Sequence, residues 1–278
     1  MDPVMSICAH FKSGSQELRP ILTSLNGDNS WRYSFPRPAY EREKSGKQFF
    51  HLVHDPWLNG PTFTTGVGVE ELVHEIETTV AAATNTSYHN ATAVGSPVDA
   101  ILINLDEVDH LHEPTLRTFD ASHPGPPLPS WLTIFRMPTP TWLTFTTALV
   151  LPDPQKPSSH ETILYIPHGV PVDNPSIQTF LHPSTLRVTT LAMLHGLKEA
   201  SLLGWKSTFG VGYGLKLYQE AKPKYWVPTH NSALRYSGVL SYAAWDTTRT
   251  LEWGIENQED GGKGGILPLR SHPAIKRN

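Results

Sequence analysis

One short segment holds most of the side chains in this sequence that could do chemistry together. The apolar run 100–105 predicts a buried strand, and a group of acidic and imidazole side chains follows it directly. These side chains belong to Asp106, Glu107, Asp109, His110 and His112. Carboxylate oxygens and imidazole nitrogens bind Zn²⁺, Fe²⁺ and Mn²⁺, and a loop after a strand can bring them together. The segment therefore predicts a site for a divalent cation. In the alternative interpretation, Asp109 caps the following helix while His110 and His112 lie on the surface.

The same segment resembles the metal-binding loop of the metallo-beta-lactamase superfamily, whose pattern is His-x-His-x-Asp-His. Within that superfamily it is most similar to a fungal branch of the UlaG-like, lactonase-related proteins. Three further segments, 50–61, 163–169 and 224–231, resemble that branch's "D-P-W-L-x-G-P", its "Y-x-P-H-G" and its last strand with a closing histidine. The four motifs occur in the family order over about residues 22–256.

The resemblance implies an α/β fold, the αββα metallo-beta-lactamase-like sandwich of two mixed β-sheets flanked by helices. It also implies a set of metal ligands, which in this chain would be Asp109, His110, His168 and His230. The positions of the family's other metal fall on Leu105 and Glu107, and on a stretch, 124–159, that contains no histidine. We therefore expect at most one divalent ion, Zn, Fe or Mn, and binding of no metal stays an alternative.

The implied function is that of an enzyme acting on a small organic substrate, of the kind found in fungal secondary metabolism. Hydrolysis of an ester or lactone is the reaction of the superfamily. A lyase, cyclase or isomerase step suits a site that has lost the ligands of one metal equally well. If the histidine-rich cleft works without metal, Asp109, His168 and His195 become the catalytic acid and base candidates. The alternative from a different class is a metal-free binding protein or pseudoenzyme that retains the fold.

Several of these residues also have purely structural interpretations. His168 could be a turn residue, His230 could cap neighbouring backbone, and His195 could lie at the edge of the core. Asp55 could orient a metal ligand, or it could simply form the turn before Pro56.

Two other features have a functional and a structural interpretation. The Gly-rich segment 209–216 superficially resembles a phosphate loop, but it lacks the Gly-Lys-Ser/Thr end, so close packing of a helix against a sheet is favoured. Four tryptophans could line a substrate pocket or pack in the core, and these are Trp57, Trp131, Trp142 and Trp205.

The composition limits the partners and the compartment. The 278 residues carry a net charge of −4, so no basic surface predicts binding of nucleic acid or of an anionic membrane. With one cysteine, an intrachain disulfide is impossible. No apolar run is long enough for a membrane span, which favours a cytoplasmic protein. The oligomeric state is open.

The predicted organisation is an arm at 1–20, one domain at 21–256 and a Gly-rich tail at 257–278. Helices are predicted at 67–83, from Pro114 onwards and at 209–221, with a polar connection at 36–46. Strands are predicted at 21–24, 31–35, 49–53, 100–105, 131–136, 142–151, 163–166, 184–191 and 225–227.

Overall fold

The computed structural model describes most of the predicted domain. The described residues are 18–58, 71–74, 98–107, 109–119, 127–139, 145–154, 156–184, 187–202, 204–232, 234–237 and 243–257. Nearly all of the predicted arm and tail lies outside them. No helix among them is long and apolar enough to cross a membrane.

Within these residues the chain is mixed α/β. The strands are β1 Ile21–Ser24, β2 Trp31–Pro36, β3 Phe49–His54, β4 Glu71–His74, β5 Ala100–Leu102, β6 Thr133–Pro138, β7 Phe145–Asp153, β8 Lys156–Ile166, β9 Arg187–His195, β10 Glu199–Leu202, β11 Trp205–Phe209, β12 Tyr225–Pro228, β13 Leu234–Ser237 and β14 Ala244–Thr247. The helices are α1 Ala39–Ser45, α2 Glu113–Leu116, α3 Pro175–Leu181, α4 Gly210–Ala221 and α5 Leu251–Glu256.

Two mixed sheets form the framework. The first sheet has the order β1-β2-β3-β5 and the second sheet the order β12-β9-β8-β7-β6. The pairs β3–β5, β8–β9 and β9–β12 are parallel, and the other pairs in these two sheets are antiparallel. A smaller sheet has the order β11-β10-β14, and β13 pairs with β4.

Alternation along the central strands gives the second sheet two buried faces. On β8, Ile163 and Tyr165 belong to a core shared with the first sheet, whereas Leu164 and Ile166 belong to a core on the opposite face. The first core includes aromatic residues of β2 and β3, and the second includes apolar residues of α3 and α4. The arrangement of two sheets sharing one core, with helices on the far side of the second, is compatible with an α/β sandwich.

Most predicted strands are confirmed, with shifted ends, and so is the helix at 209–221. The predicted helix at 67–83 is wrong at 71–74, where the chain forms β4 and pairs antiparallel with β13, Leu234 lying opposite His74. A strand partner from a remote segment supplies backbone hydrogen bonds that outweigh the helical spacing of the apolar residues. The remainder of 67–83 lies outside the described residues.

The strand predicted at 100–105 ends at Leu102 and is not fully buried. It lies at the edge of the first sheet, and 38% of the Ile101 surface is exposed. The chain turns away there because Asp55 N–H donates to the Leu102 carbonyl at 2.9 Å and Asn104 N–H donates to Asp55 Oδ1 at 2.6 Å. The connection predicted at 36–46 contains helix α1, which ends at Gly46 with φ 68°.

Candidate metal centre

Three histidines from separate loops converge at one end of the sandwich. His110 lies after β5, His168 after β8 and His230 after β12. Each histidine offers one ring nitrogen, and these three nitrogens all lie within 4.8 Å of one another. His110 and His230 are buried, and His168 is partly buried. The β-strands thus bring together side chains that are 58 to 120 positions apart in the sequence.

The His110 imidazole is oriented by Asp55. Its Nδ1 lies 2.6 Å from Asp55 Oδ2, and both side chains are fully buried. Burial alone would raise the pKa of Asp55, but the imidazoles of His110 and His54 lower it below its usual range. Asp55 is therefore a carboxylate that accepts from Nδ1, and His110 Nε2 points to the other histidines. The interpretation of Asp55 as a partner of a ligand fits this geometry.

The His230 imidazole is oriented in the same way by Asp28. Nδ1 lies 3.1 Å from Asp28 Oδ2, and Asp28 Oδ1 accepts from the Ser232 N–H at 2.8 Å. Although burial would raise the pKa of Asp28, the charge of His230 and its hydrogen bond hold it far below its usual range. The His230 backbone has φ 55°, a left-handed conformation, and its N–H donates to the Asp28 carbonyl at 3.2 Å.

The third imidazole, that of His168, is oriented by backbone. Its Nδ1 lies 3.2 Å from the Ser207 carbonyl on β11. A carbonyl oxygen only accepts, so Nδ1 carries the proton and Nε2 has the lone pair in the neutral ring. Burial and the neighbouring His230 and His110 lower the pKa of His168 well below its usual value. His168 is thus neutral near pH 7.

Asp109 brings a carboxylate to the same point. Its Oδ2 lies 3.8 Å from His110 Nε2 and 4.0 Å from His230 Nε2. Asn29 fixes the Asp109 backbone, because its side-chain amide donates to the Asp109 carbonyl at 2.6 Å. Asp109 and His230 thus lie at the same end of the fold.

These four side chains fit a divalent ion. With metal–ligand distances of about 2.0–2.1 Å, tetrahedral ligands lie about 3.4 Å apart. His110 Nε2 and His168 Nε2 are 3.1 Å apart. Asp109 Oδ2 lies 3.8 Å from His110 Nε2 and 4.0 Å from His230 Nε2, slightly more than the ligand separation in a tetrahedral site. Each Nδ1 has an acceptor, as is usual for histidines that bind metal. Nitrogen and carboxylate donors without sulfur suit Zn²⁺, Fe²⁺ or Mn²⁺.

Without an ion the cluster holds a proton. Burial would lower the pKa of His110, but the carboxylates of Asp55 and Asp109 outweigh it and raise the pKa of His110 to about 9. The protonated Nε2 can then donate to the neutral His168 Nε2. A divalent ion would replace this proton and supply the same charge compensation.

The other sequence-predicted residues lie elsewhere. His195 is fully buried between Gly169 and helix α4, where its Nδ1 donates to the Gly196 carbonyl at 2.6 Å. Burial lowers its pKa to about 4. Its Nε2 has no hydrogen-bond partner among the described residues. His195 therefore lies next to the loop of His168 but is not part of the converging group.

The alternative interpretation of the first segment is wrong. His112, not Asp109, caps α2, accepting from the Thr115 N–H, and both His110 and His112 are buried. Among the glycines of 209–216, Gly214 packs closely, because a Cβ there would lie 2.6 Å from Trp226, whereas a Cβ at Gly212 would meet nothing within 4 Å. Of the four tryptophans, Trp57 is buried, Trp131 is partly buried, Trp205 is 80% exposed and Trp142 lies outside the described residues.

Asp28 is the partner of the histidine cluster that the sequence did not reveal. It lies in the turn 26–29 between β1 and β2, and a turn explains an aspartate without any partner. Its bond to His230 spans 202 positions.

A search of protein families, curated proteins and solved structures finds no match to this chain.

Proposed function

We propose that this protein is a metalloenzyme with one divalent ion, bound by His110, His168, His230 and Asp109. We further propose that it has the αββα fold of the metallo-beta-lactamase superfamily. The observation that carries the proposal is the orientation of the three imidazoles. Each Nδ1 faces an acceptor, Asp55, Asp28 or the Ser207 carbonyl, so each Nε2 faces the common point.

The proposed reaction is hydrolysis of an ester or lactone in a small organic molecule, or a related lyase, cyclase or isomerase step. The ion would supply a Lewis acid, which activates water or polarises a carbonyl. The residues of this chain would fix the geometry: Asp55 and Asp28 keep a proton on Nδ1 of His110 and His230, and so keep both Nε2 lone pairs available.

A single ion fits the residues around the site. The position expected for another ligand holds Leu105, an apolar side chain that is only 5% exposed. A leucine supplies no donor, so we expect a stoichiometry of one ion per chain and not two.

The test is to remove metal with a chelator and to titrate Zn²⁺, Mn²⁺ or Fe²⁺ back while measuring bound metal. We expect one ion per chain, and we expect His110→Ala and His230→Ala to lose at least a hundredfold in affinity while keeping the wild-type circular dichroism. The matched control is His182→Ala, since His182 is an exposed histidine paired with Glu220. Two bound ions would contradict the single site, and no binding at saturating metal would overturn the proposal.

The metal-free reaction is the second candidate, and the short Nε2–Nε2 distance of 3.1 Å between His110 and His168 favours it. A proton shared between these rings is available for acid–base chemistry near neutral pH. Turnover that survives chelation would support this mechanism, and His168→Ala would then slow the reaction by roughly 10²–10⁴-fold. Binding of small molecules without turnover, with or without metal, would favour the binding-protein alternative.

A further inference from the structure

A buried lysine lies behind the His230 loop. Lys198 follows β9 and is 1% exposed, although lysine is almost never fully buried without a partner. Its Nζ donates to the Ser232 carbonyl at 3.1 Å and lies 3.7 Å from Asp246 Oδ2 on β14. The ammonium group thus connects the loop after β12 with a strand of the small sheet.

The partners of Lys198 lead directly to a proposed metal ligand. The Ser232 N–H donates to Asp28 Oδ1, and Asp28 Oδ2 accepts from His230 Nδ1. Asn231, between His230 and Ser232, is fixed as well, because its Oδ1 accepts from the N–H groups of Leu197 and Lys198 at 2.7 and 3.1 Å. Leu197 and Lys198 therefore hold two consecutive residues of the His230 loop, Asn231 through its side chain and Ser232 through its backbone carbonyl.

The His230 loop needs such support. His230 has φ 55°, and a residue other than glycine in the left-handed region is strained, so surrounding contacts must hold it there.

We propose that Lys198 is a positioning residue of the metal centre: by holding the Ser232 carbonyl, it keeps the Ser232 N–H on Asp28 and so keeps His230 Nε2 directed at His110 and His168. The effect of Lys198 on metal binding rests on the proposed function. The effect on the His230 ring itself does not require an ion.

The experiment compares Lys198→Met with Lys216→Met, which removes the same charge from an exposed position on α4. The dissociation constant for Zn²⁺ is measured for the folded protein by competition with a chromophoric chelator. We expect Lys198→Met to weaken binding by about 10–100-fold, the usual effect of removing support for a metal ligand, and Lys216→Met to change it less than twofold.

The same substitution made in the Asp28→Asn variant separates positioning from general destabilisation. In Asp28→Asn the path from Lys198 to His230 is already broken, so adding Lys198→Met should weaken Zn²⁺ binding less than twofold further. An equal loss of affinity in the wild-type and Asp28→Asn backgrounds would overturn the proposal, because Lys198 would then act independently of Asp28.

A metal-free readout makes failure of this proposal distinguishable from failure of the metal proposal. The ¹⁵N shifts of the His230 ring report which nitrogen carries the proton, and we expect the Nδ1–H form in the wild type and in Lys216→Met but a mixture in Lys198→Met. If the wild type binds no ion, the metal proposal fails and these shifts alone decide the role of Lys198. Wild-type shifts and wild-type affinity in Lys198→Met would overturn the positioning role of Lys198. If Lys198→Met does not fold, Lys198→Leu, which also removes the donor to the Ser232 carbonyl, is read in the same way.

Discussion

Asp55 shows how much a single residue outside the ligand set contributes to the proposed centre. Its two oxygens accept from His110 Nδ1 and from the Asn104 N–H, so one carboxylate orients the imidazole and also turns the chain after β5. An amide in its place keeps one acceptor oxygen and presents an NH₂ group to the other donor. Either the His110 Nδ1–H or the Asn104 N–H then faces an NH₂ group, so the arrangement that orients the His110 ring loses one of its two hydrogen bonds.

We therefore expect Asp55→Asn to weaken Zn²⁺ binding by about 10–100-fold. The control is Asp99→Asn, which changes a buried aspartate that accepts from the His51 N–H and pairs with Arg37, away from the histidine cluster. Competition titrations on both variants measure the effect. A dissociation constant for Asp55→Asn within twofold of that for Asp99→Asn would show that Asp55 does not support the ligand.

Some residues of this site could be predicted from the sequence, and others could not. Asp109, His110, His168 and His230 could be named in advance because their segments resemble motifs of a known family, and the structure brings all four together. Asp28 and Lys198 could not, since their local sequences look like an ordinary turn and an ordinary connection. Their importance depends on contacts between remote segments, which no local pattern records.

Helix α4 packs closely against β9 and β12. Gly214 faces Trp226 and His195, and a Cβ there would lie 2.6 Å from Trp226 Cζ2 and 2.8 Å from His195 Nδ1. Gly212 lies on the exposed face, where a Cβ would meet nothing within 4 Å. The two glycines are in the same helix but have opposite surroundings, so they form a matched pair.

We expect Gly214→Ala to lower the free energy of unfolding by about 1–3 kcal/mol, because the added methyl group must displace the ring of Trp226 or the helix. Gly212→Ala should raise it by up to about 1 kcal/mol through helix propensity alone. Urea unfolding followed by tryptophan fluorescence and circular dichroism measures both. Stabilisation by both substitutions would mean that the close packing of α4 on β9 and β12 is wrong.

Elements with a clear local signal were predicted, and elements that depend on a partner were not. Helix α4 and strands β2, β3 and β12 have the expected alternation or helical spacing and occur within a few residues of their predicted bounds. The strand β4 forms in a segment with helical spacing because β13 pairs with it. Helix α1 was missed although Gly46 follows it, a signal that helix endings commonly carry.

Across the whole molecule, buried histidines link stability to pH. Burial lowers the pKa of His51, His54 and His195 to about 4 in the folded protein. An unfolded histidine has a pKa of about 6.5. Between these values the unfolded chain binds protons that the folded chain does not, so the free energy of unfolding falls as the pH decreases from 6.5 to 4. His110 acts in the opposite direction: its pKa of about 9 adds stability that is lost as the pH rises from 6.5 to 9.

We therefore expect the metal-free protein to be most stable near pH 6.5, with each buried neutral histidine contributing a slope of at most about 1.4 kcal/mol per pH unit on the acidic side. Urea unfolding between pH 4.5 and 9 in the presence of a chelator measures the profile. His195→Gln should flatten the acidic limb, whereas His182→Gln, at an exposed histidine, should leave it unchanged. A profile that is level from pH 6.5 to 4.5 would contradict the burial of these rings.

The bond between Asp28 and His230 also determines when the centre can exist during synthesis. The ribosome releases the chain from its N-terminus, so Asp28, Asp55, His110 and His168 can all be placed while His230 is still being added or lies in the exit tunnel. Until it emerges, the buried Asp28 carboxylate lacks its imidazole partner and the histidine cluster lacks one side. The cluster of imidazoles therefore cannot reach its finished geometry before the segment around His230 has emerged from the ribosome.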